Sequence, residues 1–133
     1  MTPPSDQRDE AREWLRYARE NLAHAEAGRA ASVLTDYLCF DAQQAAEKAL
    51  KSVLIASGVR FPRVHDLVEL LRLVKDSGLS APIGLDEVAD LNPFAVQARY
   101  PGWGEPATED DLEQALRVAR AVINWASSVV DAR

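Results

Sequence analysis

Apolar residues return every three or four positions along most of this chain, and nowhere do they alternate one by one. That period is the turn of an α-helix, and its persistence excludes the pleated strand as a main building element. Near the C-terminus Leu112, Ala115, Leu116, Ala119, Val122, Ile123, Ala126 and Val130 fall on one stripe. Thr108 precedes that stripe as an N-cap, and Glu109, Asp110 and Asp111 set negative charge at the positive end of the helix dipole.

The same reading divides the rest of the chain. Ala11, Trp14, Leu15, Ala18, Leu22 and Ala25 give a first helix from Asp6 to Ala27, with Gly28 as its stop and Arg12, Arg16 and Glu20 on the opposite face. A second helix runs from Leu34 to Ser57 and ends at Gly58. Its Ala42, Ala45, Ala46 and Ala49 are small enough to let another helix close, while Gln44, Glu47, Lys48 and Lys51 line up opposite as a solvated stripe. Pro62 interrupts the loop "GVRFPRVHD", and Asp66 with Glu69 reads as an aspartate form of the capping box for a third helix, Leu67 to Ser77. A shorter fourth helix is expected near Asp86 to Ala98, bent at "NPF", with Asn92 as its cap and Pro93 in its first turn. The Pro- and Gly-rich "RYPGWGEPA" reads as a loop. Long helices joined by short loops predict an all-α fold, an antiparallel four- to five-helix up-down bundle. It forms a single domain over residues 6–133 behind a disordered tail, residues 1–5.

With 133 residues the chain can bury one core. No run approaches the roughly 18 apolar residues of a membrane span. The start "MTPPSDQRDE" lacks the basic-then-apolar order of a signal peptide, so a cytoplasmic protein without a membrane partner is expected. Cys39, the one cysteine, excludes a disulfide framework and a paired-cysteine metal site. A net charge of −6 argues against a protein that coats nucleic acid through charge alone. The charge is unevenly placed, however. Residues 42–64 carry Lys48, Lys51, Arg60 and Arg63 against Glu47, whereas residues 76–113 carry nine acids against Arg99. A small basic island on an acidic body is a place for a phosphate, or simply a cluster on a solvated face.

Most site chemistries are absent. There is no GxxxxGK[ST] or GxGxxG phosphate loop, no HExxH, no EF-hand and no GxSxG elbow. Two histidines and one cysteine cannot complete a tetrahedral zinc site, and neither histidine has the Glu-x-x-His spacing of dimetal bundles, so no metal or other cofactor is expected. What remains is histidine near arginine. His65 stands two residues after Arg63 and five after Arg60. Histidine exchanges protons near neutral pH, and arginine offsets charge on a phosphorane-like transition state. His65 with Arg60 or Arg63 is therefore the candidate catalytic set, against the plainer reading of a helix-start residue beside solvated arginines. Lys48 and Lys51 are candidate phosphate contacts, although pairing with Gln44 and Glu47 would by itself account for their spacing. Arg99 and Tyr100 form another candidate pair, a cation beside a ring that can stack on a base, or else an edge-of-core packing. Trp103 is a docking anchor or a lid on the core. His24 lies late in the first helix, at its surface or boundary.

The stretch "CFDAQQAAEKALKSVLIASGVRFPRVHDLVELL" resembles the signature of HEPN-domain proteins (higher eukaryotes and prokaryotes nucleotide-binding). "REWLRYARENLAHA" is similar to the family's first helix, "LNPFAVQARYPGW" to its later tyrosine-arginine-tyrosine-proline segment, and "TEDDLEQALRVARAVINWA" to its last helix. The resemblance implies a compact four- or five-helix bundle, frequently paired as a dimer. Many such proteins are encoded beside a minimal nucleotidyltransferase and form toxin–antitoxin pairs with it. Active members are metal-independent ribonucleases whose Arg-x4–6-His motifs meet across the dimer, and others bind nucleotide or a partner without catalysis. The family motif lies late and has a polar residue after its arginine. Here no histidine follows His65, and the literal Arg-x4-His pairs are Arg19/His24 and Arg60/His65, the latter with Phe61 after the arginine. Within one helix a five-residue offset turns Arg19 and His24 about 140° apart, whereas Arg60 and His65 lie in a loop where they can converge. The resemblance thus implies a homodimer that engages nucleotide or RNA beside a minimal nucleotidyltransferase partner. It would act as the toxin-side member and a metal-independent endoribonuclease, or as a non-catalytic binding or dimerisation module for that partner.

Overall fold

The computed structural model describes residues 5–61, 63, 65–82, 84–97 and 104–131. The expected tail, apart from Ser5, lies outside the described residues, as do Pro62, Arg99, Tyr100 and Trp103. Among the described residues every regular element is helical. The order is α1 (Ser5–Ala30), α2 (Thr35–Ala56), α3 (Leu67–Asp76), a 3₁₀ segment (Leu85–Leu91), α4 (Phe94–Gln97) and α5 (Glu109–Val130). No helix is long and apolar enough to cross a membrane.

The alanine face of α2 does what small side chains permit. Ala42, Ala45, Ala46 and Ala49 are fully buried, and α1, α3, α4, α5 and the 3₁₀ segment all pack on α2. The stripe of α5 is buried at every expected position, with Val118 added to it. Helix directions follow from contacts at the ends. Arg29 near the end of α1 pairs with Glu109 at the start of α5, 2.6 Å apart, and Arg12 lies 3.7 Å from Asp131 at the other end. α5 therefore runs antiparallel to α1. Its start is tied to the start of α2 by Ala107 N–H, which donates to Asp36 Oδ1 at 2.7 Å.

Caps set the helix limits. Thr108 and Asp111 form a reciprocal capping box, each side chain accepting from the other's backbone N–H at 3.0 and 2.9 Å. Asp66 caps α3 by accepting from Val68 N–H at 2.9 Å, but Glu69 turns away to pair with Arg72, so the expected box is half made. Asn92 corrects a second expectation. It caps not its own helix but α3, where its Oδ1 accepts from Leu67 N–H and its Nδ2 donates to Asp66, both at 2.9 Å. The fourth helix breaks at this point into the 3₁₀ segment and the single turn of α4.

Gly28 does not end α1. The helix continues to Ala30 and closes with Val33 N–H donating to Gly28 O at 2.9 Å around Ser32, which takes the left-handed conformation at φ 61. The missing side chain at Gly28 serves packing instead. A Cβ there would stand 2.5 Å from Leu38 Cδ2 of α2, and Leu38 is itself buried. Gly28→Val is expected to cost about 2–3 kcal/mol by overpacking, measured by urea unfolding. The penalty should shrink in a Leu38→Ala background, where the opposing methyl groups are gone.

Candidate functional site

A helix covered by α1, α3 and α5 cannot keep a polar row in water. Gln43, Glu47 and Lys51 sit one turn apart along α2 and are only 0%, 3% and 6% exposed. Half of the stripe read as solvated is therefore interior, and Gln44 and Lys48 alone reach its edge. Burial of such groups is tolerated only where partners replace water. Lys51 Nζ donates to Glu47 Oε2 at 3.0 Å, Gln43 Nε2 donates to Glu47 Oε1 at 3.3 Å, and Gln44 Nε2 donates to Gln43 Oε1 at 2.7 Å. The Lys51 ammonium also lies 5.6 Å from the Trp14 ring and 5.8 Å from the Phe61 ring, within cation–π reach of both.

This interior pair reaches the surface through His65. Its Nδ1 is 3.0 Å from Glu47 Oε2, the oxygen that Lys51 also holds. A carboxylate only accepts, so the proton in that contact sits on Nδ1, which leaves Nε2 as the free lone pair of the neutral ring. The His65 side chain is 69% exposed, so the ring is anchored at one nitrogen and open to solvent beyond it. A histidine oriented by a buried carboxylate is an arrangement that a general acid or base can use.

Arg60 and Arg63 both precede the imidazole in sequence. Both are exposed, and among the described residues neither makes a hydrogen bond or ion pair. Arg60 stands on the wall of a cleft of about 750 Å³ between the first turns of α1 and the end of α2. Asp6, Gln7, Glu10 and Trp14 form one side of it, and Ile55, Gly58, Val59 and Phe61 the other. Gln7 fixes the two sides by donating to Ile55 O at 2.7 Å. Gly58, at φ 72, ends α2 and leaves the cleft wall without a side chain.

Lys48 lies around the helix from this cleft, in a shallow depression with Glu13, Trp14 and Tyr17. It donates to Asn21 Oδ1 at 2.6 Å, and burial lowers its pKa below the ordinary lysine value. His24 has a carboxylate partner of its own, with Nδ1 2.6 Å from Asp41 Oδ2, while Arg19 turns away to Ser127 Oγ at 3.0 Å. The Arg19/His24 pair is thus split as its helical offset requires. The structure brings His65 and Lys51 together through Glu47, sets Arg60 at the cleft and Lys48 on the far side of Trp14. Sequence reasoning placed Glu47 on a solvated stripe and Trp14 on the apolar stripe of α1, and it left Gln43 unassigned. The signal for Gln43 and Glu47 was the row Gln43–Glu47–Lys51 beside the alanine face, legible only once α2 is known to be central.

Comparison with known proteins matches this architecture. The HEPN domain family model matches residues 11–129. No curated protein matches the chain. Among solved structures the chain is similar to the crystal structure of TT1696 from Thermus thermophilus, at 30% identity and a TM-score of 0.78, covering 90% of this chain and 97% of that one. It is also similar to the crystal structure of ST0689, an archaeal HEPN homologue, at 25% identity and a TM-score of 0.70 with the same coverage of 90% and 97%. The family match starts at the first buried alanine of α1 and extends into the last turn of α5, and the chain belongs to the HEPN family.

Proposed function

We propose that this protein engages nucleotide or RNA at the face formed by the end of α2 and the loop leading to α3, as a metal-independent ribonuclease. His65 acts as the acid or base, and Arg60 or Arg63 meets the scissile phosphate. The observation that carries this reading is the His65–Glu47 contact, an exposed imidazole whose orientation is fixed by a buried, lysine-paired carboxylate. Two arginines without partners among the described residues supply the countercharge. Family resemblance supports a homodimer working with a minimal nucleotidyltransferase as the toxin-side member of a toxin–antitoxin pair. Arg99 and Tyr100 stay in the proposal as further phosphate and base contacts. The test is incubation of the purified protein with total RNA in excess EDTA. Endonucleolytic cleavage that survives chelation is expected.

A second reading has its own support. Lys51 is committed to Glu47 and Lys48 to Asn21, which leaves few basic groups to grip a long phosphate backbone. A non-catalytic module that presents nucleotide or substrate to the partner enzyme fits that scarcity. Absence of cleavage together with calorimetric binding of ATP or GTP would select it.

A further inference from the structure

The cleft beside Arg60 differs from a plain phosphate site, because its walls combine three chemistries. Trp14 and Phe61 supply flat apolar rings, both steadied by the Lys51 ammonium. Arg60 supplies an unpaired cation on the rim. Glu10, one turn before Trp14 on α1, supplies a carboxylate that makes no hydrogen bond or ion pair among the described residues. The neighbouring Asp6 already accepts from Gln7 N–H at 2.9 Å. Its volume of about 750 Å³ falls within the range of roughly 300–1,000 Å³ usual for small-molecule sites.

A free carboxylate beside aromatic rings discriminates among nucleobases by their edges. The Watson–Crick edge of guanine presents two parallel donors, N1–H and the 2-amino group, which match the two oxygens of a carboxylate. The same edge of adenine presents one donor and one lone pair, and that lone pair repels a carboxylate oxygen. We infer that the cleft is a guanine subsite, with the base stacked against Trp14 and Phe61, its N1–H and 2-amino edge on Glu10, and its phosphate on Arg60. This rests on the nucleotide-engaging reading above and adds to it a base preference and the residue that sets it. Under that reading the ribonuclease cuts beside guanines, since Arg60 and Phe61 lie on the same loop as His65.

Isothermal titration of the full chain with GMP and with AMP tests the inference. GMP is expected to bind at least about tenfold more tightly, the discrimination of one bidentate base contact. Glu10→Gln is the informative variant, because an amide offers one acceptor and one donor, the complement of adenine. It should lose the preference for GMP or turn it toward AMP while total binding persists. Arg60→Ala should weaken both nucleotides alike. Equal affinity of the wild type for GMP and AMP would overturn the guanine subsite while leaving nucleotide engagement standing. Binding of neither would overturn both.

Discussion

His65→Ala is expected to lower RNA cleavage in excess EDTA by a factor of about 10²–10⁴, the usual contribution of a positioned proton-transfer group. The expectation follows from geometry. Glu47 holds Nδ1 at 3.0 Å, so the ring presents its other nitrogen outward, and alanine removes that nitrogen without emptying the core. Because the side chain is 69% exposed, the melting temperature should move little. His24→Ala is the matched control. It removes the other carboxylate-held imidazole, on Asp41, and should leave cleavage unchanged. A rate for His65→Ala equal to the wild type would exclude the imidazole from the chemistry.

Glu47→Ala is expected to produce the largest loss of stability, about 3–5 kcal/mol, because it leaves the Lys51 ammonium buried without its counter-charge. The side chains of this pair are only 7% and 4% exposed, so water cannot take over the missing partner. Against a total stability of roughly 5–15 kcal/mol for a domain, that is a large fraction. Chemical denaturation followed by circular dichroism measures it. A control separates the pair from the charge. Glu47→Leu combined with Lys51→Met removes both ions and should recover most of the loss, since well-packed apolar replacements of buried pairs are often neutral. A loss below about 1 kcal/mol for the single variant would place the pair in the class of solvated surface bridges. Both Glu47 variants should also free the His65 ring, so cleavage falls even where the fold is restored.

The helices were legible because burial repeats with the turn. Every apolar position assigned to the stripe of α5 is buried, and Thr108 caps it as its residue type requires. Gly28 and Asn92 resisted because their partners belong to another element of the fold. Gly28 looks like a stop signal, but the atom that requires glycine there belongs to Leu38 on the next helix. Asn92 looks like a local cap, yet its amide serves the first turn of α3, 25 residues earlier. Glu47 and Lys51 read as part of a solvated stripe for another reason: periodicity shows which side of a helix is apolar, not how many neighbours surround it. The candidate site divides the same way. His65 stood out in the sequence as a rare residue near arginines, whereas Glu47, 18 residues away, becomes its partner only when the loop folds back over α2. Trp14, assigned to the core stripe, proves half-buried and doubles as a wall of the cleft.

Cys39 has a consequence for watching this bundle move. Its thiol is fully buried on α2, and burial pushes its pKa up to about 12, so the folded molecule offers reagents neither access nor thiolate at neutral pH. As the chain's sole sulfhydryl, it can be labelled only in molecules whose central helix has parted from its neighbours. The wild-type chain therefore carries its own clock for opening, read by the rate at which a disulfide reagent consumes one equivalent of thiol.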